Sequence, residues 1–178
     1  GAAPCYGSVL QGGNLPEVKF NELSLRNVAF PCWWEFYGRN RLIPLARKSH
    51  ERGALPIEDV LLIERLCERL PELAGPEEPP ARIHGDLWWG NVMADRHGTP
   101  YLVDPVAHGG HREVDLALLT VFGGPSERCF AAYDEVSPRA AGHEERKQLW
   151  QLAMILLHVY LFGGNYVQQA RQITASYL

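Results

Sequence analysis

The sequence predicts a mixed α+β domain that is mainly helical, and three observations carry that expectation. Long stretches on both sides of residues 91–104 place apolar residues at helical spacing, with charged residues on the opposite faces. Residues 91–104 themselves read as two short β-prone runs around a tight turn. The chain has 178 residues, 46% hydrophobic and 21% charged, which supplies one core and leaves little room for a second.

The elements follow in order. Residues 1–31 are rich in Gly, Asn and Pro without sustained periodicity, so they read as loop, and residues 1–32 are expected to form an irregular N-terminal segment ahead of a folded body over 33–178. From Trp33 to about Lys48, Trp33, Phe36, Tyr37, Leu42, Leu45 and Ala46 recur near helical spacing, and Pro44 is expected to kink or divide the helix. Arg39, Arg41, Arg47 and Lys48 read as its solvated face. A helix begins at Pro56, with Val60, Ile63, Cys67 and Leu70 as its apolar stripe, and is expected to end at Pro71. Leu73–Pro80 reads as an exposed connector. Asn91–Ala94 and Tyr101–Val103 make a hairpin around Asp95-Arg96-His97-Gly98. Helices are then expected over 114–122, 128–133, about 144–162 and about 165–177. Phe122-Gly123-Gly124 and Phe162-Gly163-Gly164 read as helix stops rather than phosphate loops.

Charge and composition exclude several classes of function. A formal charge of -4 leaves no basic excess for a nucleic-acid backbone. The most apolar stretch, Leu149–Phe162, contains Gln151 and His158 and is too short to span a bilayer. Cys5, Cys32, Cys67 and Cys129 are scattered with no C-x-x-C pair, and no export signal opens the chain, so the expectation is reduced thiols in a cytoplasmic protein. There is no G-x-G-x-x-G and no Walker A sequence.

Chemistry concentrates in Asp86, Asn91 and Asp104. Phosphoryl transfer from a nucleotide needs a carboxylate to take or orient the proton of the attacking hydroxyl, and hard oxygen ligands to hold magnesium against the phosphates. A loop followed by a hairpin meets both needs: Asp86 in the loop, Asn91 at the hairpin's entry and Asp104 at its exit. Taken singly, each residue has an ordinary role in a turn or strand end. Their order, spacing and the β-turn-β between them coincide, and protein kinases use the same order of aspartate, asparagine and aspartate. A rival reading pairs His108 and His111 with Asp104 as a zinc or iron site that activates water, although Gly109-Gly110 between the histidines argues for a loop.

The run His84-Gly85-Asp86-Leu87-Trp88-Trp89-Gly90-Asn91, then Asp104-Pro105 and Gly110-His111-Arg112-Glu113-Val114-Asp115-Leu116-Ala117, resembles the fructosamine kinase family, relatives of the aminoglycoside phosphotransferases with a protein-kinase-like fold. The likeness continues through Phe122-Gly123-Gly124, Ala132-Tyr133-Asp134 and His158 to Phe162-Gly163-Gly164. Upstream, Trp34-Glu35-Phe36-Tyr37 with Arg41-Leu42 resembles the helix ahead of the family's catalytic loop, and Tyr6–Gln11 resembles a substrate-side loop. The resemblance implies the C-terminal lobe of such a kinase, with ATP as co-substrate and Mg2+ as cofactor. By that resemblance Asp86 is the catalytic base, His84 braces the loop, Asn91 and Asp104 hold the metal, and Asp115 supports the loop amides. Trp88, Trp89 and His111 are candidates to contact the sugar, and Trp89 stands where the family usually has a small residue.

The implied substrate is a ketoamine, as a small molecule or on a glycated protein, with no nucleic acid and no membrane as partner. The family's β-rich N-terminal lobe has no counterpart ahead of residue 33. Lys19, one of only three lysines, is the sole candidate for its phosphate-binding lysine. The expectation is therefore little or no turnover by this polypeptide alone, and a lobe whose uncovered apolar surface favours its missing neighbour or self-association. The alternative is a non-catalytic module that keeps the sugar- or partner-binding pocket.

Overall fold

The computed structural model describes residues 3, 5–7, 17–20 and 22–178, without the side chains of 18–20. The architecture is a helical body carrying three separate two-stranded antiparallel ribbons. Strands β1 (Glu17–Phe20) and β2 (Leu23–Arg26) form the first, β3 (Ala81–Ile83) and β6 (His108–Gly110) the second, and β4 (Val92–Ala94) and β5 (Pro100–Leu102) the third. The helices are α1 (Trp33–Tyr37), α2 (Ile43–Glu51), α3 (Ile57–Leu73), α4 (Arg112–Leu118), α5 (Glu127–Val136), α6 (His143–Phe162) and α7 (Asn165–Ser176).

Helix α6 is the axis of the body. Leu149–Leu152 and Met154–Leu157 are all buried, so the helix is enclosed on every side, as a central helix must be. Leu152, Ile155 and Leu156 are fully buried, and each such side chain stabilises the fold by about 1.5–3 kcal/mol relative to exposure. Helices α2, α4 and α7 pack around it, and α3 closes the far side against α2 and α7. An aromatic cluster of Trp33, Phe36, Tyr37 and Trp150 joins α1 to α6, with ring centroids 5.2–6.2 Å apart. No helix among the described residues is long and apolar enough to cross a membrane.

Four elements differ from the sequence expectation. The loop reading of residues 1–31 gives way to the β1–β2 hairpin, whose Leu23 and Leu25 are buried in the core; its apolar side chains are too few to stand out against the surrounding Gly and Asn. Pro44 does not break the helix from Trp33, because Gly38–Leu42 between α1 and α2 forms a π-helical turn and Pro44 falls in the first turn of α2, where a missing N–H is tolerated. Helix α3 continues past Pro71 to Leu73, and its next amide, on Ala74, still reaches the Leu70 carbonyl. Residues 108–110, read as loop, form β6 against β3.

Glycine is what allows that last pairing. Gly109 exchanges backbone hydrogen bonds with Gly7 at 2.7 and 2.8 Å, and a Cβ on Gly109 would lie 1.7 Å from the Cys5 carbonyl oxygen. The diglycine is thus a close-packed strand crossing rather than a flexible connection. The β3–β6 ribbon anchors both ends of the 26-residue span Ile83 to His108, and the loop and hairpin with Asp86, Asn91 and Asp104 are held between those ends.

Candidate active site

The loop after β3 is built around two anchors. The first is Asp115, on α4, whose two carboxylate oxygens accept from the backbone amides of His84 at 2.6 Å and Gly85 at 2.9 Å. The second is His84, which is buried. Its Nδ1 accepts from the Asp86 amide at 3.3 Å and its Nε2 lies 2.9 Å from the Val103 carbonyl. A carbonyl only accepts, so the network fixes the neutral tautomer with the proton on Nε2. The imidazole therefore ties the loop to the strand that leads into Asp104.

Asn91 ends a 3-10 turn, Trp89–Asn91, and its amide reaches the Trp88 carbonyl at 3.0 Å. Its Nδ2 donates to the Asp86 carbonyl at 2.8 Å and to Asp86 Oδ2 at 3.1 Å. With both donors aimed at Asp86, the amide oxygen is left as an acceptor. The Asn91 carbonyl accepts from the Val103 amide at 3.0 Å, which sets the hairpin so that its entry and exit lie side by side. Asp104 is exposed and takes φ 54°, the only non-glycine residue described with a positive φ. Such strain costs about 1–3 kcal/mol and concentrates where function requires it.

Charge at the site is unbalanced. Burial pushes the Asp86 carboxyl above the usual carboxylate range, and the neighbouring Asp104 charge adds to the rise. The Asn91 bond pulls the other way without cancelling it. The Asp86 carboxylate, a second carboxylate near enough to raise it, and a free amide oxygen between loop and hairpin form a donor set suited to a hard divalent cation. Burial likewise raises Asp115, against the pull of the two amides that it accepts.

Other sequence candidates separate. Trp88 and Trp89 are 36% and 44% exposed and flank the loop. His111 is buried: its Nδ1 accepts from the Glu113 amide at the start of α4, and its ring stacks on Trp150 at 5.6 Å. It therefore has no surface to offer a sugar, and its place is structural. His108 is buried too. Burial pushes it down to about 3, and its Nδ1 bonds the Val106 carbonyl at 2.8 Å. Among the described residues no group of three His, Cys, Asp or Glu side chains could hold a metal, so the His108–His111–Asp104 reading is not assembled. Lys19 lies on β1 with its side chain outside the described residues, as are Ser8–Gln11 of the Tyr6–Gln11 segment.

Sequence reasoning missed an aromatic wall. Trp88 meets Phe122 edge-on at 6.1 Å; Phe122 meets His158 at 5.0 Å, and His158 meets Phe162 at 5.6 Å and Tyr166 at 4.9 Å. Phe122 and Phe162 are exposed. These rings come from the catalytic loop, the turn after α4, the end of α6 and the start of α7. The one available signal was that Phe122-Gly-Gly and Phe162-Gly-Gly are both aromatic residues beside helix stops.

A helical body suspends two carboxylates and an amide on a loop and hairpin. The chain belongs to the fructosamine kinase family: the sequence profile of that family matches residues 19–178. A ketosamine-3-kinase of Mus musculus is 40% identical over 139 residues, covering 75% of this chain and 43% of the relative. A chloroplastic protein-ribulosamine 3-kinase of Arabidopsis thaliana is 35% identical over 149 residues, covering 82% and 44%. A crystal structure from Thermobifida fusca assigned as a fructosamine-3-kinase superposes with a TM-score of 0.89 at 41% identity, covering 99% of this chain and 59% of that one. A second structure, from Haemophilus somnus, shares the fold with a TM-score of 0.80 at 22% identity. The chain spans about half the length of the curated relatives it matches.

Proposed function

We propose that residues 33–178 are the C-terminal, kinase-like lobe of an enzyme that transfers the γ-phosphoryl group of ATP to a sugar hydroxyl of a ketoamine, free or on a glycated protein. The observation that carries the reading is the Asp86–Asn91–Asp104 arrangement, with Asp86 held by Asn91 and its loop fixed by Asp115 and His84.

Asp86 takes the proton of the attacking hydroxyl. Its raised pKa suits it to this, because a base works best when its pKa lies closer to the working pH. The Asn91 amide orients the carboxylate, and His84 and Asp115 position the loop without touching substrate. The Asn91 amide oxygen and the Asp104 carboxylate fit magnesium, which would supply charge neutralisation on the nucleotide phosphates. The wall from Trp88 to Tyr166 offers ring faces to the C–H face of a sugar and to the ammonium of a ketoamine. His158, close enough to influence the Asp86 charge, lies at the junction of wall and base.

We place the groups that clamp the nucleotide in a β-rich lobe outside residues 33–178, consistent with relatives about twice as long. The hairpin exposes apolar side chains on both faces, Met93 with Tyr101 on one and Leu102 on the other, at 54–57% exposure, and such a lobe and the nucleotide base would rest against it. This polypeptide alone then turns over little or nothing. The test is to join the nucleotide-binding part of a relative to this chain and supply ATP, magnesium and a fructosamine. Phosphate should appear on the sugar, and Asp86→Asn should slow transfer by about 10²–10⁴-fold; unchanged transfer in that variant removes Asp86 as the base. The exposed aromatic wall also serves a second reading, a module that binds a ketoamine without transferring phosphate. It predicts heat of binding in the absence of nucleotide and no phosphate transfer by the joined protein.

A further inference from the structure

The interior behind the catalytic loop holds a positive charge with no negative partner. Arg41, in the π-helical turn between α1 and α2, is 8% exposed. Its Nη1 donates to the carbonyls of Arg26 at 2.8 Å and Asn40 at 2.9 Å, its Nη2 donates to Asn27 Oδ1 at 2.9 Å, and the Phe36 ring lies 4.6 Å from the guanidinium carbon. All of these partners are neutral. No described carboxylate pairs with it, and the residues outside the described set include no Asp or Glu. Burial lowers Arg41 to about 10, so the guanidinium stays charged at neutral pH. A buried charge normally has a counter-charge, since desolvation is otherwise uncompensated.

A cavity of about 60 Å³ lies against this cation. Trp33 also lines it, is 2% exposed, and its indole Nε1–H has no hydrogen-bond partner among the described residues. His108 adds no charge, because burial holds it neutral. The remaining wall is mostly apolar and includes Leu45, Leu118 and Met154. At about 10–15 Å³ for each atom, the space takes roughly four to six non-hydrogen atoms. Water would find few acceptors or donors along the apolar wall. A dianion such as phosphate would exceed the single positive charge.

We propose that this cavity binds a small monocarboxylate, of acetate to propionate size, with its carboxylate paired to Arg41 and its alkyl end against Leu45, Leu118 and Met154. The Trp33 N–H supplies a further donor to the head group. Gly85 and Val106 line the same space, so the ligand sits behind the catalytic loop, independent of Asp86 and of the proposed phosphoryl transfer.

Thermal unfolding of the chain in sodium propionate against sodium chloride at equal ionic strength tests this. Propionate should raise the melting temperature along a saturable curve with half-saturation on the order of millimolar. In a ¹⁵N-labelled sample the Trp33 indole N–H resonance should move along the same curve. Arg41→Met should weaken the saturable effect at least tenfold. Because loss of Arg41 could disturb folding, Met154→Phe serves as the second variant. It fills the apolar end and should weaken propionate more than acetate. Equal shifts in chloride and propionate, a Trp33 resonance that does not move, or an undiminished effect in Arg41→Met would each overturn the proposal.

Discussion

Helix α4 carries two inward-facing carboxylates, the buried Glu113 and the half-buried Asp115, and they fasten it to opposite halves of the molecule. Glu113 faces the helical body. Its oxygens accept from Arg146 Nε at 3.0 Å and Nη2 at 2.7 Å, and from the Trp150 indole at 2.9 Å. Burial alone would raise its pKa, yet the bonds from Arg146 and Trp150 bring it below the usual range. Asp115 faces the catalytic loop, meets only neutral amides, and stays above the range because burial prevails. The same chemical group, two residues apart, is a charge-paired fastener on one side and an uncompensated anion on the other. A cation at Asp115 would make it a stronger fastener.

The largest expected effect breaks the Glu113 side. Glu113→Ala leaves Arg146 buried and unpaired and should cost about 3–5 kcal/mol in urea unfolding, while Glu113→Gln combined with Arg146→Met should recover much of the loss. Failure of the double variant to recover would mean that the pair is not the source of the cost. Asp115→Ala should be milder, about 2–3 kcal/mol, since two amides lose a charged acceptor but a buried anion is also removed. Its signature is local. Amide exchange at His84 and Gly85 should accelerate while α6 keeps its protection; equal loss in both would erase the distinction between the two carboxylates.

The subtlest test is pH. Glu113 has a depressed folded pKa, so its stabilisation is present above the ordinary carboxylate range and is lost as pH falls through the depressed value. Asp115 and Asp86 have raised folded pKa values. Their contribution is fully present below the ordinary range and is lost as pH rises through the raised values. Between about pH 4 and pH 7, Asp115→Asn should therefore flatten the loss of stability on raising pH, by about 1 kcal/mol or less. Glu113→Gln should instead remove part of the loss on acidification. Unfolding curves taken on both sides of the ordinary carboxylate range should show Glu113→Gln departing from the parent on the acid side and Asp115→Asn on the neutral side, and parallel curves would contradict the assignment.

Legibility followed locality. The Asp86–Asn91–Asp104 order and the hairpin between them were readable because the chemistry and the turn residues lie within one short stretch. The helix over 143–162 was readable because its apolar run is long. The β3–β6 pairing was not, since Gly109 and Gly110 look like punctuation until Gly7 and the Cys5 carbonyl close on them. His111 read as a polar residue near the site, whereas stacking on Trp150 and capping of α4 take it inward. The wall joining Trp88, Phe122, His158 and Tyr166 draws on segments up to 78 residues apart, and no local pattern links them.

By itself the sequence determined which groups could perform chemistry and which stretches would be helix or hairpin, because residue type and short-range spacing fix those. Only the tertiary structure decided which carboxylate meets a cation, which histidine is buried, and where Arg41 is left without a counter-charge. Those outcomes depend on desolvation and on partners contributed by distant segments, and neither exists until the chain has closed on itself.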